Sequence, residues 1–93
     1  MAYRVVLELE AEAGLETLRS ADRTRLLTAI YQQLRYEPGV ETTNRKPLRP
    51  GAGAAWELRV QPFRVYYDYD ERERTVWVLA IYRKPRETAR LVE

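Results

Sequence analysis

The sequence predicts an α+β domain: a mostly antiparallel sheet with a helical hairpin on one face, in the order β-α-α-β-β-β. Three observations lead there. Trp56–Val60 and Phe63–Tyr69 alternate in polarity and are joined by Gln61-Pro62, the pattern of a β-hairpin. Leu26, Leu27, Ile30, Tyr31 and Leu34 form an apolar stripe at helical spacing. Thr75–Tyr82 is apolar at both parities, as befits a central strand.

The elements follow in order. Tyr3, Val5, Leu7 and Leu9 alternate with Arg4, Glu8 and Glu10, giving a first strand with one wet face. From Ala11 the spacing changes: Ala11, Leu15 and Leu18 mark a short helix, which Gly14 weakens by about 1 kcal/mol relative to alanine. Ser20 or Asp22 can cap the second helix, and Pro38-Gly39 stops it. Val40–Ala54 reads as a connection, because Pro47, Pro50, Gly51 and Gly53 break any regular pattern. Asp68, Asp70 and Glu71 lie at a charged hairpin turn, and their spacing is not that of a calcium loop. After the last strand come Arg83-Lys84-Pro85-Arg86 and a tail, Glu87–Glu93, that reads as a short helix or a frayed end.

The 93 residues make a single domain, 1–93, large enough for one sheet and one helical layer. The chain has neither cysteine nor histidine. Disulfides are excluded, and zinc, copper and haem lose their usual ligands, so no metal or cofactor is expected. Acid–base chemistry must then use Lys, Glu, Asp or Tyr. The opening apolar run is broken by Glu8 and Glu10 well short of a membrane span, which points to a cytoplasmic protein with no membrane partner. Net charge is +2, but the portion through Glu41 carries −2 (five basic, seven acidic) and the rest +4 (eleven basic, seven acidic). A basic stretch of this kind suits a polyanion, and an ordinary solvated surface accounts for it equally well.

Side-chain alternation sharpens this. Burying Trp56, Leu58 and Val60 turns Glu57 and Arg59 outward; burying Phe63, Val65 and Tyr67 turns Arg64 and Tyr66 to the same side. On the last strand, Lys84, Tyr82, Ala80 and Val78 are expected on this exposed face, with Ile81, Leu79 and Trp77 in the core. Two guanidinium forks on one surface can hold a phosphodiester, and Tyr66 and Tyr82 can stack on a base. Such a cradle requires Arg59 and Arg64 to project from one side and to be free of internal carboxylate bridges. Glu57, beside Arg59, is either a proton acceptor or a structural partner for an arginine.

Asn44–Arg49, Trp56–Val60, Phe63–Tyr67 and Val78–Lys84, taken in order and spacing, closely resemble the RelE/ParE superfamily of bacterial type II toxins. The resemblance covers almost the whole chain. It implies a toxin held inactive by an antitoxin protein. In the RelE-like branch, the partners are the ribosome and messenger RNA, which is cut by attack of a ribose 2′-hydroxyl without a metal. In the ParE-like branch the toxin poisons DNA gyrase and cuts no RNA. A decayed toxin that only binds antitoxin is a third possibility. By this resemblance, Arg64 matches an arginine on the scissile phosphate, Arg59 falls where a catalytic lysine stands, and Lys84 or Arg83 assists the leaving group. Arg45, Lys46, Arg49, Tyr66 and Tyr82 are the expected substrate-binding residues. The chain departs from the family pattern at Glu57, where RelE has a second lysine, and near Arg90, where RelE has a tyrosine.

Overall fold

The computed structural model describes residues 2–84. Strand β1 (Arg4–Leu7) is followed by helices α1 (Leu9–Glu16) and α2 (Ser20–Leu34) and then by β2 (Arg45–Pro47), β3 (Trp56–Val60), β4 (Phe63–Asp70) and β5 (Thr75–Arg83). The sheet runs β1-β5-β4-β3-β2. β1 pairs parallel to β5 and every other pair is antiparallel. The α+β class is as the sequence predicts, with two helices packed against one mixed sheet.

The helical layer explains the apolar stripe. Leu26, Ile30 and Leu34 of α2 are fully buried with Leu58, Phe63, Val65 and Tyr67 of the hairpin, whereas Tyr31 at the stripe's margin is exposed. Helix α2 begins at Ser20 without a side-chain cap, so neither Ser20 nor Asp22 serves as one. Helix α1 starts earlier than expected, at Leu9, and leaves that leucine exposed rather than on the inner face of a strand. α1 lies close upon β5: a Cβ at Gly14 would stand 2.8 Å from the Ile81 carbonyl oxygen. The glycine that weakens the isolated helix is what lets it approach the sheet backbone.

Two local features differ from the sequence expectation. The connection after α2 contains β2, three residues that pair with β3 through Arg45↔Leu58, Lys46↔Glu57 and Pro47↔Trp56. Proline at its end and the short length hide it from pattern reading. In β5, Tyr66 pairs with Ala80 but Tyr67 with Val78, a bulge that sets Leu79 out of phase. Val76 and Val78 are consequently buried along with Ile81, while Trp77 and Leu79, expected in the core, are only half-buried. Pro85, Arg86 and the tail Glu87–Glu93 fall outside the described residues.

Candidate functional site

The hairpin alternates as expected, and Arg59 and Arg64 emerge on the same face of the sheet, opposite one another in the β3–β4 register. Like charges placed directly opposite repel. Glu57 resolves this. Its Oε2 accepts from Arg59 Nε at 2.8 Å and lies 3.1 Å from Arg64 Nε. Arg64 is only 8 % exposed and Glu57 9 %, and Arg64 Nη1 also donates to the Phe63 carbonyl at 3.2 Å and to Gln61 Oε1 at 3.4 Å. The Arg59 side chain keeps 41 % of its exposure and donates to Glu57 through Nε. The condition for an open two-arginine cradle is met in sidedness and fails in the bridge. Two guanidiniums share one carboxylate, and the cluster carries a net charge of +1.

Beside the cluster the uncovered sheet face forms a cleft of about 760 Å³. Glu57 and Tyr66 make its floor with Leu79 and Ala80; Tyr82 and Glu10 close one side, and the β2–β3 loop, including Arg49, closes the other. Arg59 and Arg64 are not among the lining residues; they hold Glu57 from behind. The rings of Tyr66 and Tyr82 lie 6.0 Å apart at 56°. The Tyr82 hydroxyl donates to Glu10 Oε2, and this hydrogen bond, together with the carboxylate's charge, raises the phenol pKa, so Tyr82 stays neutral.

The remaining expected site residues are dispersed. Lys46, opposite Glu57 in register, is half-buried and lies 3.6 Å from a Glu41 carboxylate oxygen. The Lys84 backbone N–H donates to the Pro62 carbonyl at 2.7 Å, extending the β4–β5 ladder, and alternation from Tyr82 carries its side chain to the Arg64 side. Arg83 pairs with Phe63 in register and turns to the helical side, its guanidinium 4.9 Å from the Phe63 ring centre. Arg45 is likewise on the helical side. It is 7 % exposed, with Nε donating to the Val40 carbonyl at 3.0 Å and Nη1 to the Gln33 carbonyl at the end of α2. A cation among carbonyls at a helix C-terminus is a favourable structural arrangement, and it removes Arg45 from any surface a substrate on the arginine face would touch. Arg83 is removed for the same reason of parity.

No protein-family model matches the sequence, and no curated protein matches it. Solved structures do. A chain of the toxin–antitoxin complex RelBE2 from Mycobacterium tuberculosis matches with a TM-score of 0.78 and 23% identity, over 90% of this chain and 93% of that one. The archaeal RelE–RelB complex from Pyrococcus horikoshii supplies a match with a TM-score of 0.73 and 26% identity, over 92% of this chain and 99% of that one. This chain has a RelE-like fold. The isolated E. coli RelE toxin shares the fold at a TM-score of 0.77 and 19% identity, over 98% of this chain and 94% of that one.

In this RelE-like fold, Glu10 and the inner wall of the β2–β3 loop line the cleft without having been legible in the sequence. Glu10 was legible only as an outward residue of the first strand; its place on the cleft follows from α1 beginning at Leu9. Among the described residues no group of three or more Asp and Glu side chains is placed to hold a metal ion, and no helix is long and apolar enough to cross a membrane.

Proposed function

We propose that this chain is the toxin of a type II toxin–antitoxin pair and that it cuts messenger RNA on the ribosome with the cleft face of its sheet. The fold it shares with RelE toxins and with chains of RelE–RelB complexes supports the toxin role and an antitoxin partner. The observation that carries the nucleolytic reading is the clamped carboxylate. Glu57 lines a cleft with two tyrosines while two guanidiniums fix its orientation.

The chemistry divides among these side chains. Glu57 takes the proton of a ribose 2′-hydroxyl; O2′ attacks the adjacent phosphorus, and the bond to the 5′-oxygen breaks, leaving a cyclic phosphate. Arg59, partly exposed, offers its terminal nitrogens to the phosphorane, where loss of one such donor typically costs about 100- to 1,000-fold in rate. Lys84 gives a proton to the departing oxygen. Arg64, nearly buried, keeps Glu57 and Arg59 in place. Induced expression should arrest growth and produce cuts within translated codons, and Arg64→Ala should abolish both.

A second reading draws on the same bridge. If the carboxylate retires both arginines from anion binding, the chain is a ParE-like gyrase poison or binds only its antitoxin. Growth arrest with intact messenger RNA and stabilised gyrase–DNA cleavage complexes would establish the former.

A further inference from the structure

We infer that the outer edge of β1 is a self-association surface, on which a second copy of this chain pairs antiparallel to make one continuous sheet. β1 stands at the end of the sheet order, and among the described residues only β5 pairs with it. The Arg4 and Glu8 N–H groups donate to the Arg74 and Val78 carbonyls, so the even-numbered residues turn their backbone groups toward β5. Val5 and Leu7 therefore aim theirs outward. Tyr3 is already engaged on that side, its N–H donating to the Arg35 carbonyl at 2.6 Å. Outward backbone groups on an edge are a template for another strand. The opposite edge is blunted, since β2 has three residues and ends in Pro47. β1 carries no such device, and its Val-Val-Leu run offers apolar flanks.

The charges on this edge are what select a second copy. With a two-fold axis at Val6, Val5 of one protomer lies opposite the partner's Leu7, and each exchanges its N–H and C=O with the other. Arg4 then faces the partner's Glu8 at a non-hydrogen-bonded position, where side chains on neighbouring strands come closest. Both residues are exposed, and neither forms an ion pair among the described residues. Other registers fit less well. Centring the pair on Val5 calls on the engaged N–H of Tyr3, and centring it on Leu7 calls on Leu9, which is helical. The register at Val6 also carries Leu9, 84 % exposed, toward the start of the partner's β1. The axis is perpendicular to the sheet, so both helical layers lie on one side of the dimer and both clefts on the other.

The test is sedimentation equilibrium of the purified chain over a range of concentrations, with amide exchange followed at single residues. The parent should pass from monomer to dimer. As it does, exchange at Val5 and Leu7 should slow, while Val6, bonded within its own subunit, should keep its rate. Glu8→Arg sets an arginine against the partner's Arg4 and should weaken the dimer by at least about 10-fold, as should Arg4→Glu. Mixed in equal amounts, the two variants should dimerise again as tightly as the parent, because every charge then meets its opposite. Both positions are exposed, and a thermal melt of each variant verifies its fold. A parent that stays monomeric, a dimer indifferent to both changes, or a mixture that fails to recover would overturn the assignment. So would a monomer whose Val5 and Leu7 amides gain protection only with a co-expressed antitoxin, which would give the edge to that partner.

Discussion

Replacing Glu57 by glutamine tests the clamp at its centre. Both arginine Nε atoms lie within 3.1 Å of the same oxygen, so they are no more than about 6 Å apart. At an effective dielectric of about 20, two unit charges at that separation repel by about 3 kcal/mol. Arg59 is 41 % exposed, and solvent screening cuts this by roughly half. Arg64, nearly buried, also loses its one carboxylate partner among the described residues, a change that typically costs a further 1–2 kcal/mol or so. Glu57→Gln should therefore destabilise the fold by about 2.5–3.5 kcal/mol, or lower Tm by roughly 10 °C or more for a domain of this size. Urea unfolding monitored by tryptophan fluorescence measures it, with two controls. Added salt should shrink the deficit, and Arg59→Gln in the same chain should recover much of it. A Glu57→Gln variant within about 0.5 kcal/mol of the parent and indifferent to salt would refute the reasoning.

Three further outcomes follow from the packing. Gly14→Ala, stabilising by about 1 kcal/mol in a free helix, should here destabilise by about 1–3 kcal/mol because its methyl meets the Ile81 carbonyl; a higher urea midpoint would contradict this. Burial raises the Tyr67 hydroxyl pKa well above its ordinary value, Arg45 opposing in part, and this hydroxyl donates to the Pro38 carbonyl at 2.6 Å. The neutral phenol is thus the native form. Its contribution is fully present below the unfolded phenol's pKa, near 10, and is lost as pH rises toward the folded value, so stability should fall above about pH 10. Tyr67→Phe should cost about 1–3 kcal/mol at pH 7 and flatten that alkaline decline; an unchanged pH profile would count against it. Arg45→Met should destabilise by at least about 1 kcal/mol by leaving the Gln33 and Val40 carbonyls without their donor, and amide exchange at Leu48 should quicken if β2 loosens.

The parts of this molecule legible in its sequence are those where one face of an element is wet. β3 and β4 alternate cleanly, so the common face of Glu57, Arg59, Arg64 and Tyr66 could be read from parity alone. β5 is apolar at both parities, and nothing in Trp77-Val-Leu-Ala-Ile81 fixes its phase; the bulge at Leu79 shifted half the strand. Arg45 and Arg59 look alike in sequence, yet pairing with Leu58 sends Arg45 under the sheet. The bridge itself needed register. Glu57 and Arg59 are two apart on one strand, but only the alignment of Arg59 with Arg64 makes one carboxylate serve both. Glu10 needed the point at which strand gives way to helix, which periodicity locates poorly.

The most direct measurement places the purified chain with ribosomes stalled on a defined message and analyses the ends of the RNA. The account predicts a fragment ending in a 2′,3′-cyclic phosphate, formed by the parent chain and lost in both Arg64→Ala and a folded Glu57→Gln variant. Intact message, or equal cutting by the parent and both variants, would contradict it.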